Sequence, residues 1–221
     1  YLLLLISGGH TQFLEVNGVN NYKRLGTTID DALGETFDKT AKLLGIEFPG
    51  GPTIEKWAKK GNKNYFKLPK PIFKKGGCNL SFAGLKTAVL KISKKLKNVN
   101  EKYNLAASFQ KTINEILYEK TKVAMEEFLK NKKNITNTFV IAGGVASNLS
   151  IRESLIKLAK KRNFISVFPP INLCSDNAAM IAWAGIERYK INLIDNLEFP
   201  SKARWPLDSS APFLKGPGLK L

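Results

Sequence analysis

The sequence predicts an α/β domain, and three observations carry that reading. Short apolar runs of strand length stand at both ends of the fold, as Leu2 to Ser7 and Thr138 to Ala142. Between them the apolar residues recur at helical spacing over long stretches, for example from Asp30 to Leu44 and from Asn104 to Leu129. Glycine pairs close both apolar runs, Gly8-Gly9 and Gly143-Gly144, at the strand ends where α/β sheets bind anionic groups.

The elements follow in order. Leu2 to Ser7, the turn Gly8-Gly9-His10-Thr11 and Gln12 to Val16 read as a β-hairpin. Asn17-Gly18 is a hairpin signal that turns the chain into a third strand around Tyr22 to Gly26. Asp30 to Leu44 is a helix whose acidic first turn suits the macrodipole, and Gly45 ends it. Phe48 to Pro52 is a loop and Thr53 to Lys60 a short helix, while 61–79 reads as an exposed insertion or an irregular hairpin. Phe82 to Leu96 and Asn104 to Leu129 are helices. A strand over Thr138 to Ala142 enters the 143–148 glycine turn, followed by a helix to about Arg162. Phe164 to Phe168 is a last strand, stopped by Pro169-Pro170, and Ser175 is expected to cap a final helix through about Tyr189. This divides the chain into a domain over 1–190 and a proline-containing tail over 191–221.

Composition bounds the function. The 221 residues are 43% hydrophobic and 24% charged, an ordinary globular balance. Lys and Arg number 35 against 18 Asp and Glu, giving a net charge of +17 and pointing to an anionic partner such as nucleic acid. An A/T-rich codon bias would also enrich Lys, Asn and Ile without any function. Leu2 to Ile6 is too short to span a bilayer and has no basic lead-in, so neither a membrane helix nor a signal peptide is expected. Cys78 and Cys174 form no CxxC and are expected as free thiols in a reducing, cytoplasmic compartment. Residue 1 is Tyr and the first strand has no lead-in, as if the fold were entered partway.

Several constellations have both a structural and a chemical reading. The Ser7 to Thr11 turn is either a plain tight turn or a cradle of amides and hydroxyls for an oxyanion. Asn148 is a helix N-cap or a ligand contact beside the glycine turn, which is neither GxGxxG nor a Walker A. Asp30, Asp31, Glu35 and Asp38 complement a helix dipole or line a site. Asp176 is a first-turn acid or a metal ligand. His10 is the one histidine and cannot build a zinc site alone.

Taken together, Ser7-Gly8-Gly9-His10-Thr11-Gln12, Asp30-Asp31-Ala32 through Gly34-Glu35 to Phe37-Asp38-Lys39, Pro49-Gly50-Gly51, Ser81-Phe82-Ala83-Gly84-Leu85-Lys86-Thr87, Gly143-Gly144-Val145 with Asn148, and Ser175-Asp176-Asn177-Ala178-Ala179-Met180-Ile181 stand in a telling order. The sequence resembles the tRNA N6-adenosine threonylcarbamoyltransferase family, once called glycoproteases, over most of residues 1 to 189. That resemblance implies an actin/Hsp70/sugar-kinase-like, ribonuclease H-like nucleotide-binding fold, of which this chain would be mainly the second half. It implies transfer of a threonylcarbamoyl group from threonylcarbamoyl-AMP to N6 of adenosine 37 in tRNAs reading codons that begin with A. Carried over by position, Leu5, Ile6, Ser7, Gly8 and Gly9 line the phosphate and carbamoyl region, Asp38 and Gly51 contact the nucleoside, Glu55 reaches the ribose, Asn148 holds the adenine side, and Asp176 is a metal ligand. The implied cofactor is one divalent metal, iron or zinc. The implied partners are tRNA, threonylcarbamoyl-AMP, a shorter paralogue and a small P-loop ATPase.

Two departures qualify the match. The family's H-x-x-x-H metal ligands precede the Ser-Gly-Gly-His-Thr strand and are absent here, so the metal site is expected to be compromised and the preceding half missing. Ala83 replaces a frequent Ser. A non-catalytic, nucleotide-binding paralogue is therefore the alternative, and a metalloprotease is disfavoured because no HExxH occurs.

Overall fold

In the computed structural model, which describes residues 1–75, 77–130, 137–201 and 205–212, β1 (Leu2–Ile6), β2 (Thr11–Gly18) and β3 (Asn21–Thr27) open the chain. Then come α1 (Leu33–Leu44), α2 (Gly50–Ala58), α3 (Ala83–Ser93) and α4 (Val99–Lys130). β4 (Thr138–Ala142), a 3-10 turn over Gly144–Ser147, α5 (Leu149–Lys161), β5 (Ile165–Val167), a second 3-10 turn over Ile171–Leu173 and α6 (Ala178–Tyr189) complete it. The expected α/β class holds.

One mixed sheet has the order β3-β2-β1-β4-β5. The first three strands form an antiparallel meander, while β4 runs parallel to β1 with Leu4 opposite Ile141, and β5 runs parallel to β4. Strand periodicity then sorts the side chains by face. Leu2, Leu4, Ile6, Phe13, Phe139 and Ile141 are fully buried and meet the helices in one continuous core. Leu3, Leu5 and Val140 lie on the other face and are only half-buried. The 32-residue α4, about 48 Å long, is the spine of the helical layer.

Several boundaries move from their sequence-based positions. The β2–β3 turn sits at Val19-Asn20 rather than Asn17-Gly18, with Asn20 in the left-handed region at φ 59° and a register shift after Val16. Helix α1 starts at Leu33, so Asp30 and Asp31 precede it and only Glu35 is acidic in its first turn. Its end is as expected, with Gly45 at φ 78° and the Ile46 amide returning to Ala41 O. Helix α2 begins at Gly50, drawing the expected glycine loop into its first turn. The cap of α6 is Asn177, whose Oδ1 accepts the Met180 amide at 2.9 Å, and not Ser175.

The 61–79 segment is irregular but not simply exposed. Leu68 and Cys78 are buried in it, the Phe66 amide donates to Ser108 Oγ, and the buried Lys120 Nζ donates to the carbonyls of Lys75 and Gly77. Burial holds the Lys120 pKa below the usual lysine value and pushes the neighbouring Cys78 thiol up to about 11. Both cysteines are free and buried. After α6 the described part of 191–212 has no helix or strand, yet it docks on β3. The Arg24 amide donates to Asp208 Oδ2 at 2.8 Å and its guanidinium reaches Pro212 O. That contact, led by the Arg24 amide, holds the Asp208 carboxyl below the usual range. Residues 202–204 and 213–221 of the expected tail lie outside the described residues. Among those described, no helix is long and apolar enough to cross a membrane.

Candidate functional site

The parallel β1 and β4 end side by side, and the turns leaving them frame the site. After Ile6 the chain turns back through Ser7 to His10, with the Ser7 amide donating to His10 O at 2.7 Å. Ser7 Oγ accepts from the amides of Gly9 at 3.3 Å and His10 at 3.0 Å, which fixes the loop from within. The start of α1 is seated directly on this turn. Gly34 N donates to Ser7 O at 3.0 Å, and a Cβ on Gly34 would lie 2.7 Å from that oxygen and 2.8 Å from Gly8 N. Glycine is thus required for the helix to approach the turn. Thr11 Oγ1 accepts the preceding amide, that of Leu33, at 2.8 Å. On the β4 side Gly143 has φ 99°, and a Cβ there would run into the carbonyl of Ile6.

Asp38, one turn further along α1, accepts the Gly50 amide at 3.0 Å and so caps α2 from outside. Gly8, Asp38, Lys39, Lys42 and Gly50 border a cavity of about 530 Å³ that Phe48 overhangs. Within it Lys39 bridges to Glu35 at 2.5 Å and to Asp31 at 3.4 Å; the hydrogen bond with Glu35 holds its pKa above the usual lysine value. The cavity therefore combines an open glycine turn with three carboxylates, Glu35, Asp38 and Glu47, and two ammonium groups, of which Lys39 is paired with Glu35, a lining for a polar ligand.

A second, larger cavity of about 1190 Å³ opens between α2, α4 and α5. Glu55 on α2 crosses to α5, its Oε1 accepting the Ser150 amide at 3.0 Å. Asn148 is only 7% exposed, and both ends of its carboxamide are used. Its Oδ1 accepts from Ile151 N at 2.9 Å, and its Nδ2 donates to Gln110 Oε1 at 2.9 Å. Gln110 in turn donates to Asn114, and Asn114 to Ser150 Oγ, closing a polar chain around the start of α5. Gln110 and Asn114 were not singled out from the sequence, because they look like ordinary polar positions on a long helix.

The sequence-derived candidates thus divide. Gly8 and Asp38 line the first cavity, Ser7 and Gly9 flank Gly8 in the turn, and Gly51 follows the lining Gly50, whereas Leu5 and Ile6 lie in β1, Ile6 fully buried in the core and Leu5 on the opposite face. Glu55 lines the second cavity with Gln110 and Ser150, and Asn148 is buried behind that wall, hydrogen-bonded to Gln110. Asp176 stands apart, exposed just before α6. No group of three His, Cys, Asp or Glu that could hold a metal occurs among the described residues, so these residues do not by themselves fit a metal ion.

A family model described as tRNA N6-adenosine threonylcarbamoyltransferase matches residues 2–183. A protein of that name from Pelagibacter ubique is 68% identical over 221 residues, covering all of this chain and 62% of its own length. Namesakes from Zymomonas mobilis and Rickettsia massiliae are 49% and 53% identical over 220 and 215 residues, with 60% and 61% of their lengths covered. The chain spans about three fifths of the length of these curated relatives. With a family model matched from the first strand into the last helix, and identities near or above half throughout, the chain belongs to the tRNA N6-adenosine threonylcarbamoyltransferase family.

Proposed function

We propose that this chain forms the nucleotide-holding part of an enzyme that moves the threonylcarbamoyl group of threonylcarbamoyl-AMP to N6 of adenosine 37 in tRNA. The observation that carries it is the convergence of the Ser7 to His10 turn, the start of α1 and the Asp38–Gly50 contact around one cavity at the ends of β1 and β4. The strand order and that convergence also support an actin/Hsp70-like, ribonuclease H-like fold.

The chemistry asks little of a general base. The donor is a mixed anhydride, so the N6 amine attacks its carbonyl carbon, the carbon–oxygen bond to the phosphate breaks, and AMP departs as N6 loses a proton. Most of the barrier lies in orientation and in the charge that develops on the carbonyl and phosphate oxygens. In this reading the turn of Ser7, Gly8 and Gly9 faces the phosphate and carbamoyl groups, with Lys42 nearby to offset their charge, Lys39 being already paired with Glu35 and Asp31. Asp38 and Gly51 hold the nucleoside, Glu55 the ribose and Asn148 the adenine side. Asn148 would act with its carboxamide already oriented by Gln110. A divalent metal, with Asp176 as one ligand, belongs to this proposal only if further ligands come from outside this chain. tRNA, a shorter paralogue and a small P-loop ATPase are the proposed partners, and the cytoplasm the proposed compartment.

The test is a chimera in which this chain replaces the matched three fifths of the Pelagibacter relative, expressed in bacteria depleted of their own enzyme. Mass spectrometry of hydrolysed tRNA is expected to show threonylcarbamoyladenosine, reduced at least about 10-fold by Asp38→Ala. A folded chimera that yields none of the modified nucleoside would overturn the proposal.

A further inference from the structure

The chain of amides around the start of α5 has a direction, and one backbone group sets it. The Ile151 amide can only donate, so the atom it meets at 2.9 Å is Asn148 Oδ1 and the other end of that carboxamide is Nδ2. Gln110 must therefore turn Oε1 toward Asn148, which it does at 2.9 Å, and this leaves Nε2 to face Asn114. Asn114 Oδ1 accepts that donor at 2.9 Å, and its own Nδ2 reaches Ser150 Oγ at 2.8 Å. Gln110 and Asn114 stand four residues apart on α4, which puts both on one helix face. Gln110 is 4% exposed, so bulk water is not there to pair a misplaced donor. Turning over any one amide would set two donors or two acceptors against each other. The Ser150 hydroxyl, which both donates and accepts, is the first member that can reverse without loss. Ser150 also closes the path to α2, where Glu55 Oε1 accepts its amide at 3.0 Å. Glu55 and Asn148 are thus the two ends of one hydrogen-bonded path that passes through Gln110.

We propose that Gln110 is a positioning residue for the nucleotide, one that fixes Asn148 as a hydrogen-bond donor toward the adenine. This rests on the reading of Asn148 as the adenine-side contact. The N-cap bond holds only Oδ1 and leaves the carboxamide able to swing about that contact. Gln110 Oε1 takes one Nδ2 hydrogen and stops the swing, so the second Nδ2 hydrogen is the donor left for a ring nitrogen of the base. In that reading the acyl group is transferred at the other end of the donor, beside the glycine turn, so the contribution of Gln110 is to donor binding and not to the chemical step.

The direction of the chain makes the test specific. Gln110→Glu keeps an acceptor opposite Asn148 Nδ2. Its second oxygen accepts as well, so Asn114 turns over, donates to it and receives the Ser150 hydroxyl, and every member stays paired. Gln110→Met has a similar length and no acceptor. In the chimera, Gln110→Met is expected to raise KM for threonylcarbamoyl-AMP about 10-fold, while kcat and KM for tRNA stay within about 2-fold. Gln110→Glu is expected to bring the donor KM back to within about 3-fold of wild type. Should Gln110→Met not fold, Gln110→Ala, which leaves space in place of carbon, gives the same readout. A purely structural role would lower the urea midpoint of the Met variant and leave its donor KM at the wild-type value, which would overturn the proposal. So would a Gln110→Glu chimera whose donor KM is raised as far as that of Gln110→Met. Either result in a wild-type chimera that transfers the group removes this assignment alone. A folded wild-type chimera without transfer removes the acyl-transfer reading and this assignment with it.

Discussion

Gly34 shows how one residue sets the site. Its amide holds Ser7 O, and the space where a Cβ would stand is filled by the backbone of Ser7 and Gly8, which cannot move aside as a flexible side chain could. Gly34→Ala is expected to cost about 2 kcal/mol or more, read as a lower urea midpoint. Gly144→Ala, at a glycine with open space around it, should stay within about 0.5 kcal/mol. Ser7 to His10 could be read from the sequence as a tight turn. That Gly34 is the other half of this contact could not, because its partner lies in another element and the residue looks like any glycine in a helical first turn. Asn148 is the converse case. The sequence left it open between N-cap and ligand contact, and the structure shows the cap in place with the other end of the carboxamide fixed by Gln110.

At the scale of elements, the displaced acids around α1 share one physical cause. A cap can come from a residue that is distant in sequence. Asp30, expected in the first turn of α1, accepts the amides of Phe82 at 2.7 Å and Ala83 at 3.3 Å and the hydroxyl of Ser81, so it caps α3 across a sequence gap of about fifty residues. Asp31 beside it pairs with Lys86 and Lys39. Asp38 does the same for α2. Spacing rules see only local caps, which is why the acids were assigned to the helix that follows them. Asp30→Ala leaves two amides and a hydroxyl of a buried or half-buried segment unpaired. It is expected to destabilise the chain by about 2 to 3 kcal/mol by denaturant titration, with earlier hydrogen exchange in α3 than in α4. Where capping was local and the apolar period strong, as at Gly45 and along α4, the elements were legible from sequence.

For the whole molecule, charge and topology matter most. Many of the ion pairs are intrahelical and exposed, such as Lys111–Glu115 and Lys157–Glu153, and contribute little to stability. The surplus cations are therefore available to a polyanion. If tRNA is the partner and about five phosphates are neutralised, the logarithm of its affinity should fall with the logarithm of salt with a slope near −4, checked by filter binding from 50 to 200 mM salt. A flat dependence would leave the +17 charge to composition alone. The sheet order carries a different consequence, one of timing. The central strand β1 takes its antiparallel partner at once, but its parallel partner is a late one, with Leu2 waiting for Phe139. During synthesis the meander is made before β4, so one edge of β1 waits while the intervening helices are synthesised. High sequence separation of this kind slows folding and exposes a bare strand edge to self-association. In this chain the parallel pairing of β1 with β4, beside the candidate site, is thus expected to be among the later contacts to form.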